Sequence, residues 1–258
     1  MTYTEVDSVE GVAGDFAVRL NKKPRYVIED KCTGCAVCVE YCPVEIPDPY
    51  NQDLSANKAV HIYFSQAVPL VTYIHEDCLY LKDKKCGICE GVCKNDAIYL
   101  DQEPEKMEIQ VGAIVLSPGY EIFDPELRGD FGYGKMENVV TSLDFERLLC
   151  ATGPHEGEVL RPSDKQHPQK VAWVQCVGSR QVTPGGNRYC SAVCCTYTQK
   201  QVILTKEHNA EAECTIFHTD IRSTSKEFER VYHRAEYLAG GRCISRSVSI
   251  GLEIAERR

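Results

Sequence analysis

The spacing of the cysteines is the feature that most constrains this chain. Fifteen of the 258 residues are cysteines, and eight of them form two runs, over residues 32–43 and 78–93. The first run reads Cys-x2-Cys-x2-Cys-x3-Cys-Pro, and the second repeats it with a longer first gap and without the proline. Three thiolates on a short loop, with a fourth from a distant segment, suit the corners of a cube-shaped iron–sulfur cluster. The two runs therefore predict two such clusters.

Bacterial ferredoxins use this spacing, and in them the fourth cysteine of each run serves the cluster of the other run. We therefore predict two [4Fe-4S] clusters with crossed ligand sets. The first set is Cys32, Cys35, Cys38 and Cys93, and the second is Cys78, Cys86, Cys89 and Cys42. Structural zinc sites are the alternative, but zinc modules usually spread two separated pairs of ligands. The spacing therefore favours clusters over zinc.

Charge and composition narrow the class of protein further. Twenty-nine basic and 38 acidic residues give a net charge of −9, whereas a sequence-independent nucleic-acid binder normally needs a basic face. A protein partner or a small redox carrier fits better. Apolar stretches such as 111–116 are too short to cross a bilayer, and residues 1–11 lack an apolar secretory region. We therefore expect a cytoplasmic protein, in which reduced thiols bind metal rather than form disulfides.

Hydrophobic periodicity predicts the elements on both sides of the cysteine runs. Residues 1–23 indicate a short β-hairpin, and a buried strand is expected over 107–119. The cysteine segment thus looks inserted between two strand regions. Residues 123–168 are expected to be a linker with one helix at Ser142–Leu149. Beyond it we expect a parallel α/β unit, with a strand at 171–176, a helix at 191–207, a strand at 214–218 and a helix at 225–238.

A third group of cysteines lies in that α/β unit. The end of the first strand supplies Cys176, and the start of the next helix supplies Cys190, Cys194 and Cys195. Open α/β sheets bind ligands at the carboxyl ends of their strands. By chemistry alone, the four thiols could bind a [4Fe-4S] cluster or zinc, form a redox disulfide between Cys194 and Cys195, or simply be buried. Three further cysteines match no cluster spacing and are predicted to be unligated: Cys150, Cys214 and Cys243.

The order of these motifs resembles the A subunit of heterodisulfide reductase, an iron–sulfur flavoprotein, and its bacterial relatives. The resemblance rests on the two cysteine runs, on VGAIVLSPGYEIFDP over 111–125, and on VQCVGSR over 174–180 followed by YCSAVCCTY over 189–197. It extends from Thr2 to about Ala239. That family resembles thioredoxin reductase in fold and carries a ferredoxin domain inserted into its FAD domain. The resemblance implies an α/β fold with partial FAD/NAD-type Rossmann domains and an inserted α+β bacterial two-cluster ferredoxin domain.

The resemblance also implies domains and cofactors. Residues 1–23 and 107–140 would be part of an FAD-binding domain, 24–106 the inserted ferredoxin domain, and 141–258 a partial Rossmann-like domain. Cys176, Cys190, Cys194 and Cys195 would hold a third [4Fe-4S] cluster, and Ser117 and Gly119 would pass near the FAD of the complete protein. The chain lacks both the FAD fingerprint and the segment that closes an FAD domain, so it is expected to be a middle fragment. The run after Gly241 departs from the family pattern.

The function implied by the resemblance is electron transfer in an oxidoreductase. The chain would relay electrons between a flavin and the iron–sulfur clusters of partner redox subunits, in some relatives by electron bifurcation. No Gly-x-Gly-x-x-Gly fingerprint follows the strand at 171–176, so no nicotinamide nucleotide is expected there. No catalytic residue is predicted. A free-standing ferredoxin-type carrier and a structural zinc-binding interaction protein are the alternatives.

Overall fold

The computed structural model describes residues 1–182 and 185–238, and the backbone of 243–245. The chain falls into two units, Met1–Gly119 and Tyr120–Arg258. The predicted departure from the family pattern after Gly241 lies outside the described residues, except for that three-residue backbone. In the described parts of the chain, no helix is long and apolar enough to cross a membrane.

Unit 1 consists of short strands and helices around the two cysteine runs. Its elements in chain order are β1 Thr4–Val12, β2 Asp15–Lys22, α1 Val37–Glu40, β3 Glu45–Pro47, β4 Ala56–Lys58, β5 Val60–His61, β6 Tyr73–Ile74, α2 Leu79–Asp83, α3 Ile88–Val92 and β7 Glu105–Val111. The order β1-β2-β7 forms an antiparallel sheet, and β3-β4 and β5-β6 form two small antiparallel pairs.

The predicted hairpin is present as β1 and β2. Val12 pairs with Asp15 across a two-residue turn, and β2 buries Val18 and Leu20. On its other edge β2 pairs, from Phe16 to Lys22, with every residue of β7. The cysteine segment is therefore inserted between β2 and β7, two strands that are neighbours in one sheet.

The strand predicted over 107–119 is wrong in its second half and in its burial. β7 ends at Val111 and has no fully buried residue, and the apolar residues after it are exposed, up to 89% for Val115. β7 is shorter than predicted because its partner strand, β2, does not extend far enough. β2 begins at the hairpin turn, where the Gly14 amide donates to the Gly112 carbonyl at 3.0 Å. Beyond that bond, no strand of the described chain pairs with residues 113–119. β-branched residues do not form a strand without such a partner.

The core of unit 1 is built from both cysteine runs. Its buried residues are Val27, Cys38, Cys42, Ile46, Ala59, Val60, Ile74, Cys78, Cys89, Ile98 and Leu100. Cys32 and Cys93 pack against it and are partly buried. In a domain this small, thiols thus occupy positions that aliphatic side chains usually fill. The cysteine runs are therefore part of the core of this unit.

Unit 2 contains the predicted alternation of strands and helices. Its elements are α4 Ser142–Leu149, β8 Lys170–Val174, α5 Cys194–His208, β9 Glu213–His218, α6 Phe228–Leu238 and β10 Cys243–Ser245. The sheet order is β10-β9-β8, and both pairs are parallel. Helices α5 and α6 each lie in the chain between two parallel strands, as βαβ units require. The parallel α/β character predicted for this region is confirmed.

The predicted helix α4 begins where the sequence indicates and packs against α5. The Thr141 hydroxyl accepts the Asp144 amide at 3.1 Å, and the Asp144 carboxylate accepts the Thr141 amide at 2.8 Å, which is a capping box. The side-chain amide of Gln201 donates to the Ser142 carbonyl at 2.8 Å and accepts the indole N–H of Trp173 at 3.1 Å. Gln201 therefore ties β8, α4 and α5 together.

Three boundaries in unit 2 differ from the predicted ones for a single reason. β8 stops two residues early because Cys176 has a φ of 62°, and α5 starts three residues late because Ala192 has a φ of 61°. α6 also starts three residues late, after Glu227 with a φ of 69°. A left-handed residue interrupts both strands and helices. None of the three is glycine, so composition does not signal these breaks.

Candidate metal centre

The thiols assigned to the first cluster lie close together in unit 1. The Thr72 hydroxyl oxygen is 3.8 Å from the Cys32 sulfur and 3.9 Å from the Cys38 sulfur. Burial raises the pKa of the Cys38 thiol, the bond with Thr72 lowers it, and the neighbouring thiols of Cys32, Cys93 and Cys35 raise it further. Cys93 belongs to the second run. The structure therefore places a residue of the second run near Cys38 of the first.

The loop around Cys35 is shaped to stabilise a thiolate. Gly34 and Ala36, on either side of it, have φ values of 66° and 61°. Left-handed residues alternating with other conformations turn successive amides to one side and form a concavity for anions. The Val37 amide is the main cause of the lowered pKa of the Cys35 thiol, followed by the Thr33 hydroxyl. Cys35 itself is exposed.

Two of the thiols assigned to the second cluster, Cys78 and Cys86, lie near Cys89, which is buried in α3. Burial raises the pKa of the Cys89 thiol to about 12, and the nearby thiols of Cys78, Cys38 and Cys86 contribute to the rise. Because Cys38 belongs to the first set, the two sets approach each other. Cys42 lies in the same core, where its thiol donates to a backbone carbonyl at 3.7 Å. Three of the four assigned ligands are thus neighbours, and the place of Cys42 in this set stays a prediction.

Two loops bring the third group of cysteines together in unit 2. Cys176 follows the end of β8, and Cys190 lies in the chain that leads to α5. The Asn187 amide donates to the Gly178 carbonyl at 2.8 Å, and a parallel bridge joins the same two stretches. Burial is the main cause of the raised pKa of the Cys176 thiol, and Cys194 is the next cause. The loop and the helix start predicted to share a site are therefore adjacent.

Cys194 and Cys195 are the first two residues of α5, and both are buried. The hydrogen bond from the Cys195 thiol lowers the pKa of Cys194 to about 5, and the same bond raises the pKa of Cys195. No disulfide joins them. The Ala192 amide donates to the Cys190 sulfur at 3.3 Å. The Cys195 thiol therefore favours the thiolate form of Cys194.

A cation lies beside this third group. Arg180 forms an ion pair with Asp220, and the Cys195 thiol donates to the Asp220 backbone carbonyl at 3.9 Å. Arg180 and Cys176 also line a cavity of about 200 Å³ at the carboxyl ends of β8 and β9, together with the buried His218. This is the edge of a parallel sheet at which ligands usually bind.

The donor chemistry of the three groups fits [4Fe-4S] clusters. All of the candidate ligands are soft sulfurs, and backbone amides contact the sulfurs of Cys35, Cys93 and Cys190. Cluster ligation requires thiolates, and N–H donors stabilise that form. Among the described residues, no group of three or more His, Cys, Asp or Glu side chains is arranged to hold a metal ion. The fit therefore rests on the chemistry of the thiols and on the backbone amides that contact them.

We expect Gly34→Ala to weaken the loop of the first cysteine run. A Cβ at Gly34 would lie 2.7 Å from the Leu70 carbonyl oxygen, and the φ of 66° is already costly for a residue with a side chain, by about 1–2 kcal/mol. The matched control is Gly91→Ala in α3, where a Cβ has open space. The measurement is the urea concentration at which the visible absorption of the clusters is lost. It should fall for Gly34→Ala alone; equal midpoints would contradict the prediction.

The residues predicted to pass near a flavin lie on exposed chain. Ser117 and Gly119 are in the irregular segment after β7, and both are exposed. Their assignment to FAD stays a prediction.

Two of the three cysteines predicted to be unligated lie in the described side chains. Cys214 is buried in β9, and burial raises the pKa of its thiol to about 11. Cys150 ends α4 and forms a hydrogen bond with the Thr152 hydroxyl at 3.3 Å. The side chain of Cys243 lies outside the described residues.

Sequence reasoning missed Thr72. It is a single threonine between the two cysteine runs, in no motif, and its spacing from the ligands carries no signal. Only the folded chain shows that its hydroxyl lies between two sulfurs.

The first cysteine run matches the model of a known protein family. Residues 25–48, which include the whole first cysteine run, match the family described as "4Fe-4S binding domain". This segment of the chain is therefore similar to 4Fe-4S binding domains.

Over most of its length the chain is similar to one section of the A subunit of heterodisulfide reductases. It is 44% identical over 237 residues to the A subunit of the "H(2):CoB-CoM heterodisulfide,ferredoxin reductase" of Methanothermobacter thermautotrophicus, covering 92% of this chain and 35% of that protein. It is 46% identical over 243 residues to the second iron–sulfur A subunit of the "CoB--CoM heterodisulfide reductase" of Methanopyrus kandleri, covering 94% and 36%. The chain spans about a third of the length of these relatives. The predicted resemblance to this family is confirmed.

Proposed function

We propose that this chain transfers electrons through [4Fe-4S] clusters as part of a protein similar to the A subunit of heterodisulfide reductase. The observation that carries the proposal is the surroundings of Cys38, whose thiol has Cys32, Cys35 and Cys93 as neighbours. These four residues are the crossed ligand set of a two-cluster ferredoxin. The similarity to the two relatives over more than nine-tenths of the chain supports the same function.

In this proposal the residues of the chain hold and insulate the clusters, and none of them makes or breaks a bond in a substrate. The two crossed sets hold two clusters, and Cys176, Cys190, Cys194 and Cys195 hold a third. When bound, the clusters supply one-electron transfer. Six of the twelve candidate ligands are buried and five are partly buried, which limits the access of water, whereas the exposed Cys35 brings the first cluster near the surface. Electrons can then pass between that cluster and a partner protein.

The proposal extends to the flavin and the partners. The finer fold is a pair of partial thioredoxin-reductase-like Rossmann domains, with FAD in the complete protein near Ser117 and Gly119. Other redox subunits of a cytoplasmic complex would exchange electrons with this one. The name of the Methanothermobacter relative pairs a heterodisulfide with ferredoxin, which supports electron bifurcation as the overall reaction of such a complex.

A free-standing ferredoxin-type carrier is the second candidate. It is favoured by the fact that unit 1 contains both cysteine runs and a core of its own. It differs from the first candidate in needing no cluster in unit 2.

The test is the anaerobic iron and acid-labile sulfide content of the intact chain, with a visible spectrum before and after reduction by dithionite. About twelve irons with as much sulfide, and absorption that bleaches on reduction and returns on oxidation, are expected. About eight irons would favour the ferredoxin-type carrier. Zinc without sulfide would overturn the electron-transfer proposal.

A further inference from the structure

Thr72 is placed to act on the first cluster, although it belongs to neither cysteine run. It immediately precedes β6 and is 1% exposed. Its hydroxyl oxygen lies 3.8 Å from the Cys32 sulfur and 3.9 Å from the Cys38 sulfur. A buried hydroxyl needs a hydrogen-bond partner. Here the sulfurs of two predicted ligands are within reach of it.

A second contact holds this segment against the ligand loop. The Leu70 carbonyl oxygen would lie 2.7 Å from a Cβ at Gly34, so the backbone before Thr72 closely approaches the loop between Cys32 and Cys35. On the other side, β6 pairs with β5, and the ring centroids of Tyr73 and His61 are 4.2 Å apart. Contacts of the residues before and after Thr72 therefore fix its position.

Ligation decides the direction of the hydrogen bond. As a thiol, Cys38 donates to the Thr72 oxygen. A sulfur bound to iron has lost its proton and can only accept. The hydroxyl then becomes the donor to Cys32 or Cys38. A donor to a ligand sulfur favours the more negative, reduced state of the cluster.

We propose that Thr72 is a positioning residue whose hydroxyl donates a hydrogen bond to a ligand sulfur and raises the reduction potential of the cluster on Cys32, Cys35, Cys38 and Cys93. The inference rests on the proposed function, since it assumes that this cluster is present. It is specific to one cluster. In the second set, the Cys89 sulfur accepts a hydrogen bond from a backbone amide, and the Cys42 thiol donates to a backbone carbonyl.

The test compares the intact wild-type chain with Thr72→Val and Thr72→Ser by redox titration followed by EPR. In Thr72→Val one midpoint potential should fall by the equivalent of about a tenfold change in the reduction equilibrium constant, about 59 mV for one electron. The other midpoints should stay unchanged. Thr72→Ser keeps the hydroxyl and should keep the wild-type potential. Iron content is measured in each variant, so that a lost cluster is not mistaken for a shifted one.

Thr205→Val is the matched control, because Thr205 is also fully buried but donates to the Gln201 carbonyl rather than to sulfur. It should leave all midpoints in place. If Thr72→Val does not retain iron, Thr72→Ala removes the same hydroxyl without adding bulk and is titrated in its place. Unchanged midpoints in a variant that lacks the hydroxyl but retains full iron would overturn the inference and leave the proposed function intact. A wild-type chain without iron would instead remove the proposed function.

Discussion

Replacing Cys194 with serine is expected to remove about four of about twelve irons and to leave the remaining clusters unchanged. Cys194 is buried in the first turn of α5, beside Cys176 and Cys195, so no other thiol can take its place without moving the helix start. Serine keeps the size but offers a hard oxygen that a cluster accepts poorly. The measurement is iron and sulfide per chain, with the intensity of the visible absorption.

Cys150→Ser is the matched control for this prediction. Cys150 is also in unit 2 and only partly buried, and its sulfur contacts the Thr152 hydroxyl rather than another thiol. The control should keep all of the iron. If both variants lost iron equally, or if neither did, the third cluster would not be on the residues assigned to it.

The sequence predicted the order and type of the main elements better than their boundaries. The ligand sets predicted from cysteine spacing stay predictions, and the structure supports them at one point, where the Cys93 thiol of the second run helps to raise the pKa of Cys38 in the first. The hairpin, the capped helix α4 and the parallel α/β unit also follow from local patterns that act over a few residues.

What the sequence did not predict depends on non-local structure. β7 is shorter than its apolar pattern because its partner β2 begins only at the hairpin turn, and a strand needs a partner. Helix α5 and strand β8 are shortened by left-handed Ala192 and Cys176. These residues carry a conformational cost that their surroundings impose, and nothing in their side chains indicates it. Two of the three left-handed breaks, at Cys176 and Ala192, lie at or beside cysteines of the third group.

The crossed ligand pairing gives the second large expected effect, through two double variants that share Cys32→Ser. If Cys32 and Cys93 serve one cluster, Cys32→Ser with Cys93→Ser should remove about four irons, no more than Cys32→Ser alone. Cys32→Ser with Cys42→Ser should remove about eight, because it damages both clusters of unit 1. Local pairing of each run with itself predicts the reverse.

The two double variants control for each other, since each carries two substitutions in the same unit and both share Cys32→Ser. The non-additivity of iron loss is therefore the readout, as in a double-mutant cycle. The surroundings of Cys38 favour the crossed result, because its thiol has Cys93 as a neighbour. A loss of about four irons in the Cys32 and Cys42 double variant, with about eight in the other, would refute crossed pairing while keeping two clusters in unit 1.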